Sequence, residues 1–271
     1  MRDDPFDWDD SLLWPPEDID LLKAVVNRRA PVGGLQSVST GRFHAGGQFI
    51  PAADWEREKA LAKLALPDLL GNFGRMMQVL RGTWEAAAEP NPSAKLPTQG
   101  QVRWAMKHMI RDTYERAFTL GKRAGGNLFA VTEADKKAIK KTRYDEFQYL
   151  EKFMRDMETG GGVMDYEKRM DYYVKAAREL FNLGFVRANL DPARMIRWHI
   201  NPIKEHCDSC LGMEAKGDIP ADVFSEKYAA KGILPQSGAL DCLGYACGCW
   251  LTDTTPETDR PKKNPLVLLT Y

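Results

Sequence analysis

The sequence predicts a mainly α protein: an antiparallel helical bundle with a small cysteine-rich module at its C-terminal end and an extended arm at its N-terminal end. Three observations predict this. A helical period of apolar residues starts near Trp55 and holds to about position 190. Gly and Pro clusters cut that stretch into four helix-length pieces. All five cysteines crowd between positions 207 and 249. The boundaries that follow are 1 to 54 for the acidic arm and a Gly-rich extended segment, 55 to 190 for the helical body, and 191 to 271 for the cysteine-rich module and C-terminal tail.

The arm is defined by charge. Residues 1 to 20 carry Asp3, Asp4, Asp7, Asp9, Asp10, Glu17, Asp18 and Asp20 against Arg2 alone, and such a segment resists burial. Phe6, Trp8, Leu12, Leu13 and Trp14 are interleaved with the acids and followed by Pro15 and Pro16. That pattern suits either docking onto a partner or packing of the arm on its own domain. Residues 31 to 52 are rich in Gly and read as loop, or as short strands around Gly41-Arg42-Phe43-His44 and Gln48-Phe49-Ile50.

In the body, Leu69, Phe73, Met76, Leu80 and Trp84 fall on one helix face, which the stretch from Pro90 to Pro97 must end. Met106, Met109, Ile110, Thr113, Ala117 and Leu120 repeat the spacing in a second helix, to be stopped by Gly121 or by Gly125-Gly126. Thr132 is placed to cap a third helix with Asp135 three residues on, followed by Ile139, Phe147, Leu150, Met154 and Met157 and closed by Gly160 to Gly162. A fourth shows Met170, Tyr173, Val174, Ala177, Leu180 and Phe181 and should stop at Gly184 or shortly before Asp191-Pro192. Short joints between long amphipathic helices favour antiparallel packing.

Composition narrows the function. With 271 residues and 44% apolar content the chain can bury a real core, and its 38 basic and 38 acidic residues offer no overall basic field to nucleic acid. Only Lys136, Lys137, Lys140, Lys141 and Arg143 form a local stripe fit for phosphates, and a solvated helix face neutralised by Glu133, Asp135, Asp145 and Glu146 explains them as well. Apolar runs such as Leu266 to Leu269 fall far short of the ~20 residues of a membrane span. The acidic N-terminus lacks the basic and apolar regions of a signal peptide, so the expectation is a soluble chain made in the cytoplasm.

The chemistry lies in the order Cys207-x2-Cys210, thirty-one residues, then Cys242-x4-Cys247-x-Cys249. Two short-spaced thiol pairs joined by a loop suit a tetrahedral zinc site, since each pair supplies two ligands from one tight turn. Cys207 with Cys210 and Cys247 with Cys249 are the expected ligands, Cys242 is a spare or an exchanging fifth, and His206 adds an alternative nitrogen. Disulfides or free thiols in a mature extracellular particle, and redox thiol chemistry, are the competing readings. Four protein ligands leave no open position for a substrate water. His-Glu-x-x-His, Gly-x-Ser-x-Gly, phosphate-loop and dinucleotide motifs are missing, and no catalytic residue is assigned. Zinc would tie a segment too small for a core of its own onto the helical body.

Trp198, His206-Cys207-x2-Cys210, a Gly217 loop, Leu234-Pro235, Gly238, Cys242-x4-Cys247-x-Cys249 and Trp250-Leu251 together resemble the C-terminal zinc-knuckle-like signature of tailed-phage minor head and head-morphogenesis structural proteins. Gly41-Arg42-Phe43-His44-x2-Gly47-x-Phe49-Ile50 and Tyr149-Leu150-x2-Phe153 are similar to their upstream motifs, so the resemblance touches residues 41 to 251 in order. Gly248 stands where such proteins usually carry a base, and the arm has no counterpart among them. The resemblance implies a non-enzymatic virion component with structural zinc, assembled in the host cytoplasm in multiple copies near the capsid, portal or neck. In that setting Phe6, Trp8, Leu12, Leu13, Trp14 and the segment Pro265-Leu266-Val267-Leu268-Leu269 would dock neighbouring subunits, the latter as an added strand. The alternative is a zinc-ribbon protein that holds nucleic acid with Lys136 to Arg143 and the knuckle.

Overall fold

The structure, a computed structural model, describes residues 52–88, 98–127, 131–159, 165–188, 190–244 and 247–255. The expected arm, the short strands near Phe43 and Phe49, and the segment from Pro265 to Leu269 lie outside them. Six α-helices make up 68% of the described residues. In chain order the elements are α1 (Ala52–Ala88), α2 (Gln99–Ala124), α3 (Glu133–Thr159), α4 (Tyr166–Arg187), β1 (Met195–His199), α5 (Asp208–Glu214), β2 (Asp218–Pro220), α6 (Ala221–Lys227) and β3 (Trp250–Asp253), with a 3-10 turn at Ala229–Lys231.

Helix ends follow local chemistry. At the start of α2 the Thr98 amide donates to Gln101 Oε1 at 2.7 Å and the Gln101 amide donates back to Thr98 Oγ1 at 3.3 Å. Thr132 and Asp135 make the same reciprocal pair at 3.0 and 3.2 Å before α3, as their spacing predicts. The stop of α2 falls at Gly125-Gly126, not at Gly121. Gly126 adopts φ +90°, its amide bonds the Arg123 carbonyl and the Asn127 amide reaches back to Lys122, which satisfies the last free carbonyls. Likewise α4 runs through Gly184 and ends before Asp191-Pro192. Along α1 the buried seam is Leu70, Phe73, Met77, Leu80 and Trp84, so Leu69 and Met76, expected in the seam, stand half-buried beside it.

Two compact units share these elements. In one, which holds residues 75–88 and 98–106 of those described, Met77, Leu80, Trp84, Val102 and Met106 are buried and the Arg103 guanidinium lies 5.8 Å from the Trp84 ring centre. The other holds residues 52–74 and everything described from 107 onward.

Within the second unit, α2 and α4 touch through backbone. A Cβ on Gly121 would stand 1.9 Å from the Phe181 carbonyl oxygen, and one on Gly184 would stand 2.2 Å from that of Phe118. Beside this crossing, Lys122 is buried and paired with Asp135 at 2.8 Å, and Arg187 reaches the other Asp135 oxygen at 3.0 Å. Burial alone would raise the Asp135 carboxyl, but the Lys122 and Thr132 hydrogen bonds outweigh it and hold the group below the usual carboxylate range.

From position 191 the period changes. β1 is the central strand of an antiparallel sheet ordered β2-β1-β3, with Ile196 opposite Ile219 and Trp198 opposite Leu251. Ile196 and Trp198 are buried, while Arg197 between them points outward into a two-pronged pair with Asp218 at 2.8 Å. The buried side joins Phe224, Leu234, Leu240, Cys210, Cys249, Phe185 and Val186 in one apolar cluster. The segment shares its core with the helical body: eight residues of 191 to 251 bury large apolar side chains there, beside two cysteines and Phe185 and Val186 of α4. Arg194 fastens the sheet to α4. Its buried guanidinium donates to the Phe185 and Val186 carbonyls at 3.0 and 3.1 Å, which caps the helix, and pairs with Asp253 of β3 at 3.2 Å.

Candidate metal centre

The cysteines come from three places on this scaffold. Cys207 lies in extended backbone immediately before α5, and Cys210 sits in the first turn of that helix. Cys242 belongs to a turn in which Leu243 and Gly244 both have positive φ, 50° and 72°. Cys247 and Cys249 lead into β3. Ser209 joins the first two places: its amide and hydroxyl both donate to the Asp241 carboxylate, at 2.9 and 2.5 Å, and the Asp241 amide donates back to Ser209 Oγ at 3.2 Å. Asn182 of α4 holds the preceding loop through a 2.9 Å bond to the Pro235 carbonyl.

Two glycines give the loops room. Gly244 needs its left-handed conformation, and a Cβ there would stand 2.4 Å from the Gln236 carbonyl oxygen. Gly248 packs on the segment 201–204, where a Cβ would meet Asn201 Cβ at 2.9 Å and Lys204 Cδ at 3.1 Å. Any side chain at 248 must displace Asn201 and Lys204.

The loops bring all five sulfurs together as two triangles with a shared corner. Cys207, Cys210 and Cys242 lie within 4.8 Å of one another, and so do Cys210, Cys247 and Cys249. Cys210 and Cys249 are buried and the other three half-buried, and none of the five is in a disulfide. Cys210 Sγ is 3.9 Å from Cys247 Sγ, and Cys249 Sγ is 3.7 Å from His206 Nδ1. On its other side His206 Nε2 sits 2.6 Å from the Asn201 carbonyl oxygen. A carbonyl only accepts, so Nε2 carries the proton and Nδ1 faces the sulfurs with its lone pair, the orientation that metal-binding imidazoles require.

Crowding divides the protons unequally. The Cys249 hydrogen bond pulls the Cys247 thiol down to about 5, with the Cys249 and Gln236 amides and the Cys210 thiol adding to it. Burial would raise Cys207, yet hydrogen bonds from Cys210 and Cys242 hold it below the ordinary thiol range. The donors pay the opposite shift: burial and the bond to Cys207 push Cys210 and Cys242 up, and the bond to Cys247 together with burial pushes Cys249 up. Each triangle thus holds one sulfur predisposed to be a thiolate, and only a cation would let its neighbours ionise too.

The donor set could hold a metal ion. With bonds of about 2.3 Å, two sulfurs of a tetrahedral site stand about 3.8 Å apart, close to the 3.9 Å between Cys210 and Cys247. Cys210, Cys247 and Cys249 form one set with His206 beside Cys249, and Cys207, Cys210 and Cys242 form the other. Gly244 makes the turn expected between Cys242 and Cys247, whereas Ser209, Asp241 and Asn201, which also position these ligands, escaped the sequence reading; their one signal is that each borders a cysteine or lies a few residues from one.

The other expected sites fare differently. Lys136, Lys137, Lys140 and Lys141 are exposed on α3 and Arg143 is half-buried, but Lys136 pairs with Glu133 at 2.6 Å and Arg143 with Glu115 at 3.7 Å. Phe6, Trp8, Leu12, Leu13, Trp14, Leu266, Val267 and Leu268 lie outside the described residues. No described helix is long and apolar enough to cross a membrane. The chain matches no family model, no curated protein and no solved structure.

Proposed function

We propose that the chain is a non-enzymatic structural component of a tailed-phage virion, a minor head protein near the portal or neck that acts in particle assembly. The reading is supported by the cysteine signature, and the observation that carries it is the convergence of all five sulfurs from three separate stretches of chain. Bound zinc would supply coordinate cross-links between residues 206 to 210, Cys242 and residues 247 to 249, fixing the shape of the module without performing chemistry on a substrate.

The test is composition of the particle. In particles isolated from producing cells, mass spectrometry should find the chain at a fixed ratio to the portal protein, and replacing Cys207 and Cys210 by Ser should remove it. Deleting residues 1 to 20 should leave a folded chain that no longer enters. A chain present in the cell extract and absent from particles would overturn the assignment.

A second reading rests on the exposed lysines of α3, which suit a zinc-ribbon nucleic-acid binder. It requires DNA affinity that falls steeply between low and moderate salt. The assembly reading requires weak binding at any salt.

A further inference from the structure

We propose that the centre takes two zinc-class ions bridged by the Cys210 thiolate, one held by Cys207, Cys242 and Cys210 and the other by Cys210, Cys247, Cys249 and His206. The inference rests on the metal-binding reading of the cysteines and goes beyond it in number and arrangement.

Three observations carry it. First, an ion about 2.3 Å from its sulfurs caps a triangle whose corners are mutually close, and the centre presents two such triangles, not a single group of four or five. Cys210 alone belongs to both, so an ion in either place needs its sulfur, and a thiolate has lone pairs for two metals. Second, the triangle of Cys210, Cys247 and Cys249 has a fourth donor beside it. His206 Nδ1 is 3.7 Å from Cys249 Sγ, near the separation of about 3.6 Å expected between nitrogen and sulfur on one tetrahedral ion, and its lone pair is fixed by the 2.6 Å bond from Nε2 to the Asn201 carbonyl. His206 stands outside the triangle itself, close to Cys249, so the set closes with protein ligands when the ring moves toward Cys210 and Cys247 on binding. Third, formal charge favours the pair. Five thiolates around one dication would leave three uncompensated negative charges in a region where Cys210 and Cys249 are buried, whereas two dications leave one.

The two places differ in character. The Cys210, Cys247, Cys249 and His206 ion is closed and structural. The Cys207, Cys242 and Cys210 ion has three protein donors among the described residues, and its fourth position falls to water on the half-buried side of the cluster. It is therefore the more readily exchanged of the two.

Native mass spectrometry of the full zinc-loaded chain reads the stoichiometry directly. The expected mass increment is two zinc ions per chain, and a cobalt(II) titration followed by thiolate charge-transfer absorbance should rise to a break at two equivalents. In the Cys207→Ser, Cys242→Ser double variant both readouts should fall to one. Saturation of the unaltered chain at one ion would overturn the bridged pair while leaving a single metal site standing; no bound ion would overturn both. Because the unaltered chain decides the count, the outcome does not depend on the variant folding.

Discussion

At Gly121 and Gly184 single atoms decide stability. Each would set a Cβ about 2 Å from an opposing backbone oxygen, which no rotamer change relieves. Gly121→Ala or Gly184→Ala should destabilise the chain by about 3 kcal/mol or more, a fall of several degrees in Tm. Gly74 is the contrast, since a Cβ there meets nothing within 4 Å on α1, and Gly74→Ala should stabilise by ~0.5 kcal/mol or more through better helix propensity. Thermal melts of the three variants check the ordering. The sequence could not separate these roles. Gly121 and Gly125-Gly126 offered equal stops for α2, because a composition signal for chain reversal is the same as one for close helix contact. Only the partner carbonyl 60 positions away in Phe181 distinguishes them.

At the scale of the element, α4 organises the second unit. Arg194 caps its C-terminal end and joins it to β3, so Arg194→Met should cost about 3 kcal/mol by leaving Asp253 half-buried without its cation. Urea unfolding at pH 7 measures it. Glu179 of α4 and Glu146 of α3 carry a different load: burial raises both carboxyls to about 7, opposed at Glu146 by Arg169. A carboxyl raised in the folded state keeps its proton there while the unfolded chain has lost it. Its stabilising effect is therefore full below the unfolded value near 4.3 and declines as pH rises toward 7. Glu179→Gln should remove up to about 3 kcal/mol of that decline, visible as a smaller difference in stability between pH 5 and pH 8 than in the parent chain. Asp135, held low, behaves in the opposite sense and loses its contribution only as pH falls below about 4. The caps and ends of these helices were legible, as the Thr132–Asp135 pair shows. The strands were not: β1 to β3 are three to five residues long, too short for an alternation to stand out until Ile196 and Trp198 are seen facing Ile219 and Leu251.

Across the whole molecule, the sequence showed which residues could share an ion and left open how they would be arranged. Cysteine spacing alone paired Cys207 with Cys210 and Cys247 with Cys249. Which sulfur stands at the centre depends on the fold, because the turn through Gly244 and the Ser209–Asp241 bonds bring Cys242 beside the first pair and make Cys210 the shared corner. The apolar cluster around Trp198 and Phe224 also changes what metal loss should do. Chelation should loosen residues 201 to 210 and 241 to 249 in hydrogen exchange while the sheet, Phe224, Arg194 and α4 stay protected, since burial holds them without the ion. The most direct measurement is zinc-edge X-ray absorption on the chain as purified. A scattering shell dominated by sulfur at about 2.3 Å, with a minor nitrogen contribution, is the expected result. A shell of oxygen and nitrogen alone, or a chain that retains no zinc, would contradict the account.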